Sequence, residues 1–147
     1  MEGSDMTIVR DIVEQKGHSL HSVAPDDTVL DVLRLMAKEN IGAVLVMSGD
    51  ILVGIFTERH YARNVFLEGK ASPTTPAQDV MESHVIHVEP EHSVEACMAL
   101  MTENHIRHLP VLSDGRLVGM VSIGDLMRSM IEERQFNIDQ LVQYVRG

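Results

Sequence analysis

Hydrophobic positions along the chain follow two spacings, which predict helices and short strands in alternation. Val29, Val32, Leu33 and Met36 fall at i, i+3, i+4 and i+7, as on one face of an amphipathic helix. The run 43–47 (AVLVM) is continuously apolar, which is typical of a strand buried on both faces. After a polar turn the chain returns antiparallel and then enters a second helix. This half of the chain therefore predicts the order β-α-β-β-α.

The second half of the chain repeats the first at a shift of 65 positions. It contains the clearest hairpin signal, Asp114-Gly115 between two apolar runs, followed by a strand that leads into a helix behind Ser122. An internal duplication of this kind is the most specific feature of the sequence. The shift aligns these pairs without a gap: Val23 with Val88, Pro25 with Pro90, Met36 with Met101, Ile41 with Ile106, Val46 with Val111, Gly54 with Gly119, and Thr57 with Ser122.

The fold class expected from this order is α/β, or α+β by some schemes. A unit of about 55 residues buries too little surface to be stable alone, so two repeats packed sheet to sheet about a pseudo-two-fold axis are expected. The predicted boundaries are a first repeat with an N-terminal helix at 1–69, a linker at 70–76, a second repeat at 77–133 and a C-terminal helix at 134–147.

Five shorter elements complete the prediction. A Thr cap, a proline or an amphipathic stripe marks most of them. They are a helix at 7–15 capped by Thr7, a helix from Thr57 to about Leu67, a short helix at 77–81, a strand at 85–88, and a separate tail helix at 137–145 capped by Asn137 and Gln140.

Composition narrows the function classes. A formal charge of −10 argues against sequence-independent binding to nucleic acid or to an anionic membrane. No apolar run is long enough to span a bilayer, and the N-terminus carries acids where a signal peptide carries bases, so a cytoplasmic location is expected. The single cysteine, Cys97, excludes a disulfide framework within one chain.

The strand-to-helix corner at Ser122 is the strongest candidate for a binding site. Unpaired backbone N–H groups at a helix N-terminus attract anions. Gly124 removes side-chain bulk there, and Asp125 adds a carboxylate in the first turn. A hydroxyl and a glycine near phosphates, with an Asp for ribose hydroxyls, suit a nucleotide. Taken alone, the segment favours the alternative that Ser122 and Asp125 serve only as a helix cap.

Metal binding and catalysis find little support in the sequence. Three His-x-x-His pairs occur (18/21, 84/87 and 105/108), but residues three apart on an extended strand point to opposite faces. No Cys pair or acidic partner stands at ligand spacing. No nucleophile can be paired with a base either, so neither a metal site nor an enzyme is predicted.

The strand-to-helix motifs of the two repeats together resemble a pair of CBS domains, also called a Bateman module. IRHLPV, a hairpin and then GMVSIGDL carry the resemblance in one repeat, and GIFTERHYA carries it in the other, over about Val9 to Ile131. KGH before the first strand is similar to stand-alone bacterial two-CBS proteins. The resemblance implies a regulatory module without catalysis that forms disc-like homodimers and binds adenine nucleotides: AMP foremost, with ATP, ADP, NAD or S-adenosylmethionine as alternatives.

The resemblance also implies two unequal sites. In the first, Asp125 holds the ribose and Ser122 the phosphate side. The second has His60 where the family has Asp, and imidazole cannot clasp two hydroxyls as a carboxylate does, so that site is expected to be weaker, altered or empty. The remaining implied contacts are Lys16, His18, Ile41, Gly42, Ala43 and Gly124 for the first site, and Thr57, Arg59, Ile106, Arg107 and His108 for the second.

Three functions follow, in order of preference. The first is a nucleotide sensor that signals through its dimer to an unknown target protein, since this sequence shows no catalytic, transport or DNA-binding domain of its own. The second is a structural or dimerisation module that has no ligand. The third, an enzyme on the same fold, is disfavoured because nothing beyond the binding residues is reactive.

Overall fold

The computed structural model describes residues 7–17 and 20–146, which divide into two compact units. The first unit lies within residues 20–86. The second comprises residues 87–146 together with the N-terminal segment 7–17. Both units mix helices with a small sheet, so the α+β class is confirmed. No helix of the described residues is both long and apolar enough to cross a membrane.

The first unit is a three-stranded sheet with helices. Strand β1 (Ser22–Val23) pairs in parallel with β2 (Ala43–Ser48), which pairs antiparallel with β3 (Ile51–Thr57). Helix α2 (Val29–Glu39) makes the parallel crossover. Its cap is reciprocal, because Thr28 Oγ1 accepts from the Asp31 N–H and the Asp31 carboxylate accepts from the Thr28 N–H.

The core of this unit contains most of the apolar positions that the periodicity predicts, while Leu33 is only partly buried against it. The inner face of α2 packs on the buried residues of β2 and β3, and the largest fully buried side chain is Phe56. Burial of such side chains stabilises the fold by about 1.5–3 kcal/mol each, which explains why the apolar face of α2 packs against the apolar strand. The buried set is Val29, Val32, Met36, Val44, Val46, Phe56, Val65, Ala77 and Val80.

The second unit contains a two-stranded hairpin between two helices. Strands β4 (His108–Ser113) and β5 (Arg116–Ser122) pair antiparallel, and α4 (Val94–Asn104) precedes them. Asp114 and Gly115 both have positive φ, 51° and 79°, as a two-residue type I′ turn requires, so the predicted hairpin is confirmed. Helix α5 (Ile123–Arg146) follows β5 directly.

The strand predicted at 85–88 was wrong: only Val88 bridges to β4, opposite Val111. In the first unit the matching parallel ladder is extended by a bond from the Leu45 N–H to the His21 carbonyl, 3.3 Å. The residue 65 positions after Leu45 is Pro110, which has no N–H to donate. The ladder therefore stops after one bridge.

The two repeats agree in backbone detail as well as in element order. Asn40 and His105, 65 positions apart, both end a helix in the left-handed region at φ 55°. The next residues, Ile41 and Ile106, donate N–H bonds to the carbonyls of Met36 and Met101 at 3.1 and 3.0 Å. The duplication seen in the sequence thus persists at the level of single hydrogen bonds.

The short helix that precedes each repeat belongs to the unit of the other repeat. Helix α1 (Val9–Lys16) lies in the second unit, where Val9 donates its N–H to the His92 carbonyl. The 3₁₀ turn Ala77–Asp79 lies in the first unit, where Ala77 donates to the Asp27 carbonyl. Asp27 and His92 are again 65 positions apart, so the two short helices occupy equivalent places.

Four helix predictions needed correction. Thr7 is not the cap of α1, which begins at Val9; its hydroxyl instead donates to Glu133 at 3.1 Å. The helix after Thr57 has only one α turn, α3 (Glu58–His60), and continues as a π-helix at Tyr61–Phe66. The tail helix is not separate, because α5 runs unbroken for 24 residues, with no cap at Asn137. The short helix predicted at 77–81 forms only the 3₁₀ turn at 77–79.

Candidate functional site

Asp125 is the buried charged side chain of the described residues, 6% exposed, and it lies at the start of α5. Its carboxylate accepts the Ser122 N–H at 2.8 Å, and the Ser122 hydroxyl accepts the Asp125 N–H at 3.1 Å. This reciprocal cap satisfies two donors at the corner. It also fixes the carboxylate at the helix N-terminus, where the helix dipole favours negative charge.

Two cations meet the same carboxylate. Lys16, the last residue of α1, donates to Oδ2 at 2.7 Å and also to the Met120 carbonyl at 2.9 Å. Arg128, one turn along α5, donates to Oδ1 at 2.5 Å. Burial raises the pKa of Asp125, but the hydrogen bonds from Lys16 and Ser122 outweigh it, so the pKa lies below its ordinary value. The carboxylate is therefore ionised at neutral pH.

A shallow cavity of about 180 Å³ opens beside this carboxylate. Its walls come from α1 and α5, and its lining is mostly polar, with both cations and the carboxylate on the surface. Small-molecule sites in proteins are usually larger, about 300–1,000 Å³. The lining residues are Ile12, Gln15, Lys16, Asp125, Arg128, Ser129 and Glu132.

The corner of the first unit has the same form with a different third residue. Thr57 ends β3 and caps α3, and its N–H donates to His60 Nδ1 at 3.0 Å. The His60 N–H donates to Thr57 Oγ1 at 3.3 Å. An imidazole nitrogen therefore occupies the role that the Asp125 carboxylate has in the second unit.

His60 must be neutral for this cap to form. Burial lowers its pKa; Glu82 opposes this, and Arg59 and Arg63 lower it further, so the pKa falls below 6.5. Because Nδ1 accepts the Thr57 N–H, the ring proton lies on Nε2. The single lone pair of the ring is thereby used on the backbone.

Each corner is hydrogen-bonded to the segment that follows the earlier helix of the same repeat, α2 or α4. Glu58 donates its N–H to the Gly42 carbonyl at 3.2 Å, and Ile123 donates to the Arg107 carbonyl at 2.9 Å. These pairs are related by the same shift of 65 positions. The base-facing segments implied by the resemblance thus lie directly against a corner, each within its own unit.

A family model for the CBS domain matches the chain twice, at residues 9–66 and 77–132. The two matches cover most of the chain and coincide with the duplicated elements. The chain belongs to the CBS-domain family. CBS-domain proteins are typically regulatory, and paired CBS domains often bind adenine nucleotides.

Known CBS proteins resemble this chain over nearly its whole length. The mitochondrial CBS domain-containing protein CBSX3 of Arabidopsis thaliana is 38% identical, covering 99% of this chain and 75% of that protein. A solved protein with CBS domains from Burkholderia ambifaria is 46% identical, with a TM-score of 0.83, covering 86% of this chain and 95% of that one. Hypoxic Response Protein I, solved with two coordinated zinc ions, is 27% identical, with a TM-score of 0.72, covering 83% of this chain and 98% of that one.

The ligand contacts that the resemblance implies are divided between the two units. The first unit contains Ile41, Gly42, Ala43, Thr57, Arg59 and His60, and the second contains Lys16, Ile106, Arg107, His108, Ser122, Gly124 and Asp125. Among these positions, Lys16 and Ser122 donate directly to the Asp125 carboxylate in the second unit's corner, and the Arg107 carbonyl accepts the Ile123 N–H there. His18 lies outside the described residues.

Arg128 is the site residue that sequence reasoning missed. It stands three positions after Asp125, a spacing at which opposite charges meet on one helix face. That signal was present in the sequence. As for metals, no group of three or more His, Cys, Asp or Glu side chains with ligand geometry forms within residues 7–17 and 20–146.

Proposed function

We propose that the chain is a regulatory module that binds an adenine nucleotide, AMP foremost, at the Asp125 corner. The observation that carries the proposal is a buried, ionised carboxylate at a helix N-terminus on the wall of a cavity. Two cations flank it, and both line the same cavity. This set supplies an acceptor for ribose hydroxyls and positive charge for a phosphate.

Lys16 has to exchange partners when the nucleotide binds. An ionised carboxylate offers about four acceptor positions. Three are occupied in the ligand-free protein, by Lys16, Ser122 and Arg128. Two ribose hydroxyls therefore need one of these donors to leave. Lys16 is 42% exposed and ends a flexible side chain, so we expect it to move from Asp125 to the phosphate.

The cavity of the second unit accommodates only part of the ligand. At about 180 Å³ it is smaller than a typical site for a whole cofactor. We expect it to hold the ribose and phosphate, while residues outside its lining hold the base. ADP, ATP or NAD would project their additional groups into solvent on the open side.

The His60 corner is proposed to bind the same ligand more weakly or not at all. Its imidazole uses its one acceptor nitrogen on the Thr57 N–H. Only an Nε2–H donor remains, and a donor cannot receive the two hydroxyl protons of a ribose. One chain would then have one strong nucleotide site.

Signalling requires a conformation that the nucleotide stabilises. We propose that the chain works as a homodimer and that an unidentified protein recognises its bound form, with no part for nucleic acid or membrane and no catalysis. The effect on the partner can be no larger than the difference in nucleotide affinity between the two conformations.

Calorimetric titration of the full chain with AMP, ADP, ATP and NAD tests this function. Asp125→Asn keeps an oxygen for the Ser122 N–H but removes the charge and one acceptor. The matched control is Asp31→Asn, since Asp31 forms the same reciprocal cap with Thr28 yet does not line the cavity. We expect one binding event in the unmodified protein, weakened at least about tenfold by Asp125→Asn and unchanged by Asp31→Asn.

A second candidate function is a structural module without ligand. It is favoured by the fact that the cap and the two cations already satisfy the Asp125 carboxylate. Absence of heat with all four nucleotides would support this candidate and reject the sensor. Equal weakening by Asp125→Asn and Asp31→Asn would also count against the proposed site.

Lys16→Ala separates the two roles of the lysine. If Lys16 moves to the phosphate, its removal weakens AMP binding but leaves adenosine binding unchanged or tighter, because an acceptor on Asp125 becomes free. Parallel titrations with AMP and adenosine measure this difference. Equal weakening for both ligands would show that Lys16 only maintains the shape of the site.

A further inference from the structure

The outer face of α5 carries an apolar stripe that the described part of the chain leaves uncovered. Exposure of its side chains runs from 42% at Val142 to 77% at Val145. Phe136 and Tyr144 are exposed as well, but they lie on other sides of the helix, and Met130 lies at the edge of the set. Large apolar side chains gathered on one face of a helix usually mark an interaction surface. We call this set the α5 stripe; it consists of Met127, Ile131, Ile138, Leu141, Val142 and Val145.

The α5 stripe points away from the unit that α5 belongs to. Asp125 and Leu126 are buried, and Ser129 and Glu133 are half-buried, so these residues mark the inward side of the helix. At 100° per residue the stripe falls on the opposite side. Met127 and Ile131 are exposed even where the other side of the same turns is packed. The stripe is therefore not the core-facing side of this part of α5, whereas residues 134–146 are exposed on every side of the helix.

Residue types along the stripe favour a second helix of the same kind. Steps of three and four residues place Ile131, Ile138 and Val145 at one core position of a heptad and Leu141 at the other. β-Branched residues at the first and Leu at the second favour two-stranded pairing. We propose that α5 pairs with α5 of a second copy of this chain along the stripe.

Arg134 occupies the remaining core position of the pattern. A long charged side chain there can lie along the apolar surface with its head group in water. A polar residue at one core position lowers stability but restricts the register and number of helices. The pairing is thus expected to be specific and modest in strength.

Charge favours a second copy over a membrane surface. Helices that lie on membranes are rich in Lys and Arg on their polar face. The polar side of α5 instead mixes acids and bases, Glu132 and Asp139 with Arg128 and Arg146, beside Gln140 and Gln143. Between residues 131 and 146 acids and bases nearly balance, so two such segments repel each other little.

The area available predicts a reversible dimer. A fully buried aliphatic side chain removes about 60–120 Å² from water. Six partly exposed side chains therefore offer roughly 300 Å² per copy, or about 600 Å² for a pair, which is the range of weak and transient interfaces. The inference rests on the homodimer proposed above, whose surface it names, but not on nucleotide binding.

Sedimentation equilibrium of the full chain, from low to high micromolar concentration, tests this surface. Ile138→Glu/Leu141→Glu places two carboxylates in the stripe. Gln140→Glu/Gln143→Glu adds the same charge on the other side of the helix and serves as the matched control. We expect a monomer–dimer equilibrium that the stripe variant weakens by about tenfold or more, while the control matches the unmodified chain.

The outcomes separate the surface from the dimer itself. A dimer that both variants leave intact would overturn the α5 surface and keep the homodimer. A chain that is monomeric at every concentration would overturn both. Monomeric protein that binds phosphatidylcholine vesicles, with binding lost only in the stripe variant, would assign the stripe to a membrane instead. Far-ultraviolet circular dichroism and AMP titration of the variants establish that they are folded.

Discussion

The two strand-to-helix corners share a backbone and differ in one side chain. Each begins with a hydroxyl residue, Ser122 or Thr57, that exchanges hydrogen bonds with the residue three positions on. In the second unit that residue is Asp125, and in the first it is His60. A carboxylate has two oxygens and a charge, whereas a neutral imidazole has one accepting nitrogen.

This single difference changes which charged side chains each corner can bind. After accepting the backbone N–H, the Asp125 carboxylate still attracts Lys16 and Arg128. After accepting its backbone N–H, the neutral His60 ring has no acceptor left, and the nearby Arg59 and Arg63 lower its pKa. Of the two corners, the Asp125 corner is therefore the one that keeps acceptors for further partners after capping its helix.

The largest expected effect is the loss of the carboxylate. Asp125→Ala leaves the Ser122 N–H and two cations without their partner, so we expect the free energy of unfolding to fall by about 2–3 kcal/mol. His60→Ala removes only a cap bond, for about 1 kcal/mol or less. Urea unfolding at neutral pH measures both. Equal losses at the two corners would contradict the comparison.

A smaller effect is expected three positions before Thr57 and Ser122, where each strand has a glycine. Gly119 lies against Val13 of α1, and Gly54 lies against Met81, two residues after the 3₁₀ turn. A Cβ on Gly119 would lie 2.8 Å from Val13 Cγ1, and a Cβ on Gly54 would overlap the end of the Met81 side chain. Val13 is branched and stiff, while Met81 can rotate away. We expect Gly119→Ala to cost about 1–3 kcal/mol in urea unfolding and Gly54→Ala about 1 kcal/mol or less.

A double variant checks the cause assigned to that difference. Val13→Ala removes the methyl groups that Gly119→Ala would meet. The two changes together should therefore destabilise the protein by less than the sum of the separate effects. Strict additivity would show that the glycine is required for another reason.

The smallest expected effect is a pH dependence specific to the His60 corner. In the folded protein the pKa of His60 lies below 6.5, so the unfolded chain binds the proton first as the pH falls. The contribution of His60 to stability is complete above pH 6.5 and is lost as the pH falls from there towards the folded pKa. Asp125, whose pKa is lowered from 3.8, stays ionised over this pH range and contributes nothing to the change in stability there.

His60→Asn isolates this contribution from the other histidines. An amide oxygen can still accept the Thr57 N–H but does not titrate. We expect the unmodified chain to lose more stability than His60→Asn between pH 7.5 and pH 5.5, as measured by urea unfolding. A proton NMR titration of His60 gives its pKa directly, and a value above 6.5 would contradict the assignment.

Local patterns predicted much of the fold correctly. Asp114-Gly115 forms the hairpin turn, and Thr57 and Ser122 cap the helices that follow their strands, because these features depend on residues a few positions apart. The absence of a strand at 85–88 could also have been predicted, because Pro110 on the neighbouring strand has no N–H to donate to a parallel ladder. The π-helix after His60 and the unbroken α5 had no comparably local signal.

Local patterns in the sequence predicted only part of the candidate site. Ser122 and Asp125 follow from a strand that runs into a helix, and Arg128 follows from helix spacing. The partnership of Asp125 with Lys16 joins residues 109 positions apart. It depends on α1 packing in the second unit, although α1 precedes the first repeat.

By itself, then, the sequence determined the duplication, most of the order of elements, the caps at Thr57 and Ser122, and the place of each corner. Those features come from hydrogen bonds and periodicities within a few residues, which nearby side chains decide. Only the tertiary structure decided which short helix joins which unit, and therefore which cation meets Asp125. Contacts of that range depend on burial and packing summed over a whole unit, and no local pattern contains that sum.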